Sequence, residues 1–370
     1  MDSTAQSFFS QSYAEARAKF LAAADAAGLD AEPHWHPLLG RDGERLALDV
    51  LRQGPAKAKR LLIISSACHG VEGFCGSALQ TALLSDAEWL SAVKAQPDLA
   101  VLYLHALNPY GFSWWRRVTQ EGVDLNRNFH DFAHHQPLPH NAGYEEIASA
   151  LLPAHWPPSA ADEAVLADYA ARHGQAGLQK AVTAGQYTDE LGLFYGGHAP
   201  TWSQQTLRHV LSEHGQHAQD IAWIDLHTGL GPCGHGERIF AGPDADTAAL
   251  ARARAWWGSE VTSMADGSSS AAPLQGLMWS VIQQSCPQAR YTGIALEFGT
   301  VPWAETIMAL RADHWLEANP QTDPALARQI KQQLRDAFYV DTPEWQQALL
   351  RQAFEVAQQA LNGLNSDEQQ

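Results

Sequence analysis

Four short segments of this chain carry residue types that can do hydrolytic chemistry, and three of them follow or end an apolar run. Together they supply two histidines, two glutamates and an asparagine–arginine pair. A catalytic zinc centre needs three protein ligands, an open position for water and a nearby carboxylate base, and these segments can supply that set. They are His-Gly-Val-Glu at 69–72, Gly-Val-Asp-Leu-Asn-Arg-Asn-Phe at 122–129, Ile-Asp-Leu-His-Thr at 224–228 and Ala-Leu-Glu-Phe-Gly at 295–299.

The predicted elements bring three of these side chains to one edge of a sheet. The apolar run 61–67 predicts a strand that ends just before His69, and the run 221–226 predicts a strand that ends at His227. Ligands of open α/β sheets bind beyond the carboxyl ends of the strands, so both histidines should reach the same crevice. Glu72 follows His69 by three residues, which lets the two side chains converge where a helix begins. We therefore predict a zinc site with one ion per chain, held by two histidines and one glutamate.

Taken alone, each of these residues has an ordinary structural explanation. A single His69 could be a hydrogen-bonded core histidine, and a single Glu72 could be a solvated surface acid. The occurrence of all four segments in one order favours a shared function. Glu297 lies inside the apolar run 294–298, where a carboxylate is costly unless it is paired or functional, so we interpret it as a functional residue.

The rest of the chain alternates apolar runs with helical patterns. This alternation predicts an α/β fold with a mixed, mostly parallel central sheet and helices on both faces. We predict a single domain over 1–370, with a core at about 40–320. A helical insertion is expected at about 130–220 and a C-terminal helix at about 343–364.

The composition narrows the expected partners and compartment. Lys plus Arg is 24 and Asp plus Glu is 41, which gives a formal net charge of −17 and argues against nucleic acid or an anionic membrane as a partner. No apolar run is long enough to span a membrane, and the first residues do not resemble a signal peptide. Four cysteines are too few for a disulfide scaffold, so we expect a cytoplasmic protein. The oligomeric state is left open.

With the stretch 108–129, the four segments resemble the zinc metallocarboxypeptidases of the carboxypeptidase A type. The Asn-Pro-Tyr-Gly at 108–111 is similar to the family's NPDG turn, and the segment 122–129 matches its GVDLNRNF. The resemblance covers roughly residues 60–300 and is nearer to a bacterial branch than to the digestive enzymes. It implies a sandwich of the phosphorylase/hydrolase type.

The resemblance also implies roles for individual residues. His69, Glu72 and His227 would be the metal ligands, and Asn126 with Arg127 would bind the terminal carboxylate of the substrate.

Three further roles follow from the same resemblance. Arg117 would stabilise the oxyanion, although its neighbour Arg116 is close enough in sequence to exchange places with it. Glu297 would be the general base, and Asp124 would orient the first zinc histidine. No tyrosine is assigned to the family's mobile substrate tyrosine, because Tyr291 lies too close in sequence to Glu297.

Three functions remain open at this point. The first is a zinc hydrolase that removes a C-terminal residue from a peptide. The second is an amidohydrolase that uses the same site on N-acyl amino acids, which the segment 224–228 also resembles. The third is a zinc-binding module without catalysis, which the presence of Glu297 disfavours. The histidines at 130, 134, 135 and 140 could indicate a second metal, but solvated loop histidines are the preferred interpretation.

Overall fold

The computed structural model describes residues 2–134 and 137–366 and contains a seven-stranded mixed sheet between two layers of helices. The strands lie in the order β1-β2-β4-β3-β5-β7-β6. The four central strands, β4, β3, β5 and β7, run parallel, whereas β1, β2 and β6 pair antiparallel with their neighbours. The predicted fold class is confirmed. The strands are β1 (Ala31–Leu39), β2 (Arg45–Gln53), β3 (Arg60–Ser66), β4 (Leu99–His105), β5 (Asp220–Cys233), β6 (Gly236–Phe240) and β7 (Arg290–Gly299).

Thirteen α-helices are present in the described residues. They are α1 (Asp2–Phe8), α2 (Tyr13–Ala26), α3 (Gly73–Leu84), α4 (Ala87–Lys94), α5 (Pro109–Ser113), α6 (Ala142–Leu151), α7 (Ala160–Thr183), α8 (Trp202–His214), α9 (Thr247–Trp257), α10 (Val281–Ser285), α11 (Trp303–Ala318), α12 (Pro324–Phe338) and α13 (Pro343–Ser366).

The central strands are buried on both faces, which explains their continuous apolar runs. Every residue of β3 and of β4 is buried. On one face, α2, α3 and α13 contribute to a large apolar core; on the other, α8 and α10 form a second core. Gly76 lets α3 lie close to β3, because a Cβ atom at this position would be 2.6 Å from the Cβ of Ser66.

The connection between β4 and β5 is the longest one in the sheet and contains α6, α7 and α8. These helices fall in the region where the sequence predicts a helical insertion, and the division of the domain itself stays a prediction. The sequence pattern missed β1, which lies before the predicted core. This edge strand is mostly exposed and contains two prolines, so it lacks the apolar alternation that reveals a strand. No helix in the described parts of the chain is long and apolar enough to cross a membrane.

Candidate active site

The three predicted metal ligands meet at the carboxyl edge of the sheet. His69 follows β3, Glu72 directly precedes α3 and His227 lies on β5, and each is at most 4% exposed. The Nδ1 atoms of the two histidines are 3.3 Å apart. The carboxylate oxygens of Glu72 lie 2.9 Å from His69 Nδ1 and 3.1 Å from His227 Nδ1. Three ligand atoms therefore converge on one point from three different elements.

The surroundings of His227 favour a positive charge at this point. Its Nε2 lies 2.5 Å from Asp225 Oδ2, so Nε2 carries a proton, and a neutral imidazole would turn the lone pair of Nδ1 toward the carboxylate of Glu72. Asp225 is held in turn by the hydroxyl of Ser65 at 2.5 Å. Burial alone would lower the pKa of His227, but the charges of Asp225 and Glu72 outweigh it and raise this pKa well above its usual value. Without a metal ion, protonation of His227 supplies the positive charge between the carboxylates of Asp225 and Glu72. Two imidazoles and one carboxylate are also a ligand set that fits a zinc ion.

His69 is oriented by a second carboxylate and by an arginine. Its Nε2 lies 3.2 Å from Asp124 Oδ1 and 2.8 Å from Arg117 Nη2. The same guanidinium donates through Nε to Asp124 at 2.9 Å and through Nη1 to Glu72 at 3.2 Å. Burial opposes ionisation of Asp124, but the charges of Arg117 and His69 hold its pKa well below the usual range. Arg117 therefore lies directly beside the predicted ligands.

Backbone contacts fix the first ligand segment against the segment that carries Arg117. The N–H groups of Gly70 and Val71 donate to the carbonyl oxygens of Arg117 and Arg116 at 3.1 and 2.9 Å. A Cβ atom on Gly70 would lie 2.1 Å from the carbonyl carbon of Gly111, so a side chain does not fit there. This close packing positions the ligands and the arginine as one unit.

The side chain of Arg116 points to a different part of the molecule. It donates to Asp313 at 3.2 Å and pairs with Glu317 at 3.3 Å, both on α11. Of the two neighbouring arginines, Arg117 is the one that lies beside the predicted ligands.

Glu297 lies on β7 directly beside His227. The two residues are register partners on neighbouring parallel strands, which are about 4.8 Å apart. Glu297 is 8% exposed, and its Oε1 accepts a hydrogen bond from the N–H of Leu230 at 3.0 Å. Burial and the negative charge of Glu72 raise the pKa of Glu297 to about 8. A carboxyl group with this pKa can accept and release a proton near neutral pH.

The raised pKa of Glu297 makes the stability of the metal-free protein depend on pH. An unfolded chain ionises this carboxyl near pH 4.5, whereas the folded chain keeps the proton until about pH 8. Stability should therefore fall as the pH rises between these values, and Glu297→Gln should remove this part of the slope. We expect the melting temperature of chelator-treated wild type to fall more steeply from pH 5 to pH 8 than that of the variant. Parallel curves would contradict the pKa assigned to Glu297.

The predicted carboxylate-binding pair lines the same cleft. Arg127 is 2% exposed, and it donates through Nε and Nη2 to the carbonyl of Thr183 at 3.0 and 2.6 Å and through Nη1 to its neighbour's carbonyl at 2.9 Å. A guanidinium has five N–H donors, and these three bonds use three of them. The Oδ1 atom of Asn126 accepts a hydrogen bond from the N–H of Met278 at 2.8 Å, and its amide N–H groups make no hydrogen bond to the described residues.

Two residues of the site were not predicted from the sequence. Asp225 has a recognisable signal, because it lies two positions before His227 on a strand and must point to the same face. Phe194 has none. It has a φ of 54°, an uncommon value for a residue other than glycine, and its ring lies 5.1 Å from the guanidinium carbon of Arg117 and 5.5 Å from that of Arg127. Its ring thus lies near both cations of the site.

The histidine-rich stretch after the second motif does not form a cluster in the described residues. The three described histidines of this stretch contact three different partners, and His135 lies outside the described residues. His130 contacts Tyr187, His134 contacts Asp131 and His140 contacts Glu145.

The structure is similar to several solved structures at low sequence identity. Carboxypeptidase A from Helicoverpa armigera is 12% identical, with 88% of this chain and 74% of that chain covered and a TM-score of 0.41. Bovine thrombin-activatable fibrinolysis inhibitor in complex with tick carboxypeptidase inhibitor is 13% identical, with coverages of 88% and 96% and a TM-score of 0.44. An aspartoacylase family protein from Mesorhizobium loti is 17% identical, with coverages of 78% and 66% and a TM-score of 0.36. These similarities identify neither the activity nor the substrate of this chain.

Sequence comparisons give one assignment. No curated protein matches the chain. A family model matches residues 9–352, which include all of the predicted ligands, Glu297 and the segment 122–129. The chain belongs to the family described as "Protein of unknown function (DUF2817)".

Proposed function

We propose that this protein is a zinc-dependent hydrolase that cleaves an amide bond next to a free carboxylate. The observation that carries the proposal is the convergence of His69, Glu72 and His227 on one point, with Glu297 on the neighbouring strand. A bound zinc ion would supply Lewis acidity and lower the pKa of a water molecule at this edge of the sheet. His69, Glu72 and His227 are the residues that would hold it, one ion per chain.

The residues around this point have complementary tasks in the proposed reaction. Glu297 would take a proton from the attacking water and return it to the leaving amine, which suits a carboxyl with a pKa near neutrality. Arg117, fixed by Asp124 and Glu72, would stabilise the negative charge that develops on the carbonyl oxygen. Asp124 and Asp225 would keep the two histidine rings in place.

The free carboxylate of the substrate would bind to Arg127 and Asn126. Burial lowers the pKa of Arg127 somewhat, but a guanidinium keeps its charge in proteins, so a buried positive charge faces the cleft. This group suits a peptide C-terminus and an N-acyl amino acid equally well. Both substrates leave the same product, an amino acid with its carboxylate on Arg127.

The test of this proposal is a comparison of free and amidated carboxylates. We expect zinc-loaded wild type to cleave N-acyl dipeptides or N-acyl amino acids, and to lose about a hundredfold in kcat/KM when the substrate carboxylate is amidated. Arg127→Ala should lose activity on the free acid and show little preference between the two forms. The amidated substrate controls for the acyl and side-chain contacts. Equal cleavage of both forms by wild type would refute the role of Arg127, and the ratio of peptide to N-acyl amino acid turnover would decide between the two substrate classes.

A further inference from the structure

A deep pocket extends from Glu297 along one face of the sheet. Side chains two positions apart on a strand share a face, so Tyr291, Gly293 and Ala295 lie on the same face of β7 as Glu297. Of these four residues, Tyr291, Ala295 and Glu297 line one cleft, whose empty space is about 1040 Å³ when the part open to solvent is included. Between Tyr291 and Glu297, the only side chain of β7 that lines the cleft on this face is the small one of Ala295, and this leaves room for a substrate group.

Tyr291 closes the far end of this pocket with its hydroxyl group. A Cβ atom added to Gly293 would lie 2.0 Å from Tyr291 Oη, so the tyrosine ring lies along the strand and brings its hydroxyl to the level of Gly293. This level is four residues before Glu297, or roughly 13 Å along the strand. The side chain of Glu297 and the backbone of the departing residue take up part of this distance, so a long side chain would be needed to span the rest.

The hydroxyl of Tyr291 is buried and has no hydrogen-bond partner among the described residues. Trp279 also lines the pocket, and its Nε1 atom is likewise buried without a hydrogen-bond partner among the described residues. A buried polar group without a partner is costly, and native proteins rarely keep one without a reason. A ligand that brings a polar atom to this end of the pocket would satisfy the hydroxyl.

The opposite wall and the charges of the pocket limit what that ligand can be. This wall is formed by apolar side chains from the segment 264–279, among them Met264, Leu274 and Met278. The charged residues that line the cleft in the described part of the chain all lie at the sheet edge, except Asp225, which is already bonded to Ser65 and His227. The far end offers the hydroxyl of Tyr291, and because burial and the nearby charge of Asp225 raise the pKa of this group, an anionic substrate group is disfavoured there.

We propose that Tyr291 is a specificity-determining residue that selects a long, uncharged side chain ending in a hydrogen-bonding group. A tyrosine side chain on the departing amino acid fits this description. A phenylalanine side chain would fill the same space but leave the hydroxyl of Tyr291 unpaired. This inference rests on the proposed function for the placement of the substrate carboxylate at Arg127.

The test measures binding of the free amino acids, which are the shared products of both candidate reactions. We expect zinc-loaded wild type to bind L-tyrosine about tenfold more tightly than L-phenylalanine in isothermal titration calorimetry. Tyr291→Phe should reduce this ratio to near one, with L-phenylalanine binding unchanged. The matched control is Tyr144→Phe, since the hydroxyl of Tyr144 is also buried without a partner among described residues but lies outside the pocket. This control should keep the wild-type ratio.

A second variant tests the location of the pocket. Ala295→Leu should weaken binding of both amino acids, because its side chain would enter the space between Tyr291 and Glu297. The inference is overturned if wild type binds both amino acids equally or not at all, if Tyr291→Phe keeps the preference, or if Ala295→Leu binds as wild type does. Because the readout is binding, it separates this inference from the proposed reaction: a tyrosine preference without any hydrolysis would reject the reaction and keep the pocket.

Discussion

Replacing His227 with alanine should remove both the metal and the activity. The variant deletes one of three converging ligand atoms and leaves Glu72 and Asp225 facing an empty space that was shared with the imidazole. Wild type should contain about one zinc per chain after purification and reconstitution, and the variant should retain only a small fraction of it, measured by elemental analysis. Hydrolysis should fall to background.

The control for this experiment is His155→Ala. His155 is an exposed histidine that lies 3.6 Å from Asp162. Its replacement should change neither zinc content nor turnover, which excludes a general effect of histidine loss. Full zinc occupancy in His227→Ala would disprove the ligand assignment. Absence of zinc from wild type after reconstitution would reject the whole metal site, and the hydrolase proposal with it.

Replacing Glu297 with glutamine should suppress catalysis and leave the metal in place. Glutamine keeps the shape of the side chain but cannot take up a proton, so the loss expected for a general base is about a hundredfold to ten-thousandfold in kcat. Zinc content should equal that of wild type, because Glu297 is not one of the three converging ligands. Measuring kcat and zinc content together therefore distinguishes a general base from a metal ligand.

Glu305→Gln is the matched control, because Glu305 is an exposed residue in the first turn of α11. It should behave as wild type in both measurements. Wild-type turnover in Glu297→Gln would show that another group serves as the base. If neither wild type nor the variant hydrolyses any acyl–amino-acid substrate while both bind zinc, the non-catalytic module would become the better description.

Where a motif follows a buried strand, the sequence was enough to predict which side chains meet at the edge of the sheet. The runs before His69 and His227 are apolar on both faces, and strands of this kind must lie side by side in the centre of a parallel sheet. Their carboxyl ends then coincide, so the two histidines meet without any information about side-chain packing. Glu297 follows from the same argument, because it interrupts a buried strand.

Other parts of the site depend on contacts between distant segments, which a single sequence does not reveal. Within the segment 122–129, Asn126 lines the cleft, whereas Asn128 is buried. The side chain of Asn128 makes hydrogen bonds to the backbone of Gly196, Ala199 and Thr201. Phe194 comes from a connection with no motif, and its position depends on an unusual backbone conformation. The pairing of the ligand segment with Arg117 is likewise a long-range backbone contact.

Asn126 connects two parts of the cleft that would recognise different parts of a substrate in the proposed reaction. Its amide oxygen accepts a hydrogen bond from the backbone N–H of Met278, which belongs to the apolar wall, while its amide N–H groups would bind the substrate carboxylate. The side chain of Asn126 thus connects the proposed carboxylate-binding group, Arg127, to the apolar wall of the side-chain pocket. Free energies of binding at the two subsites are then not independent, and substitutions at Arg127 and in the wall should combine non-additively. Changing the preferred side chain by redesigning the wall would also alter how the carboxylate is held.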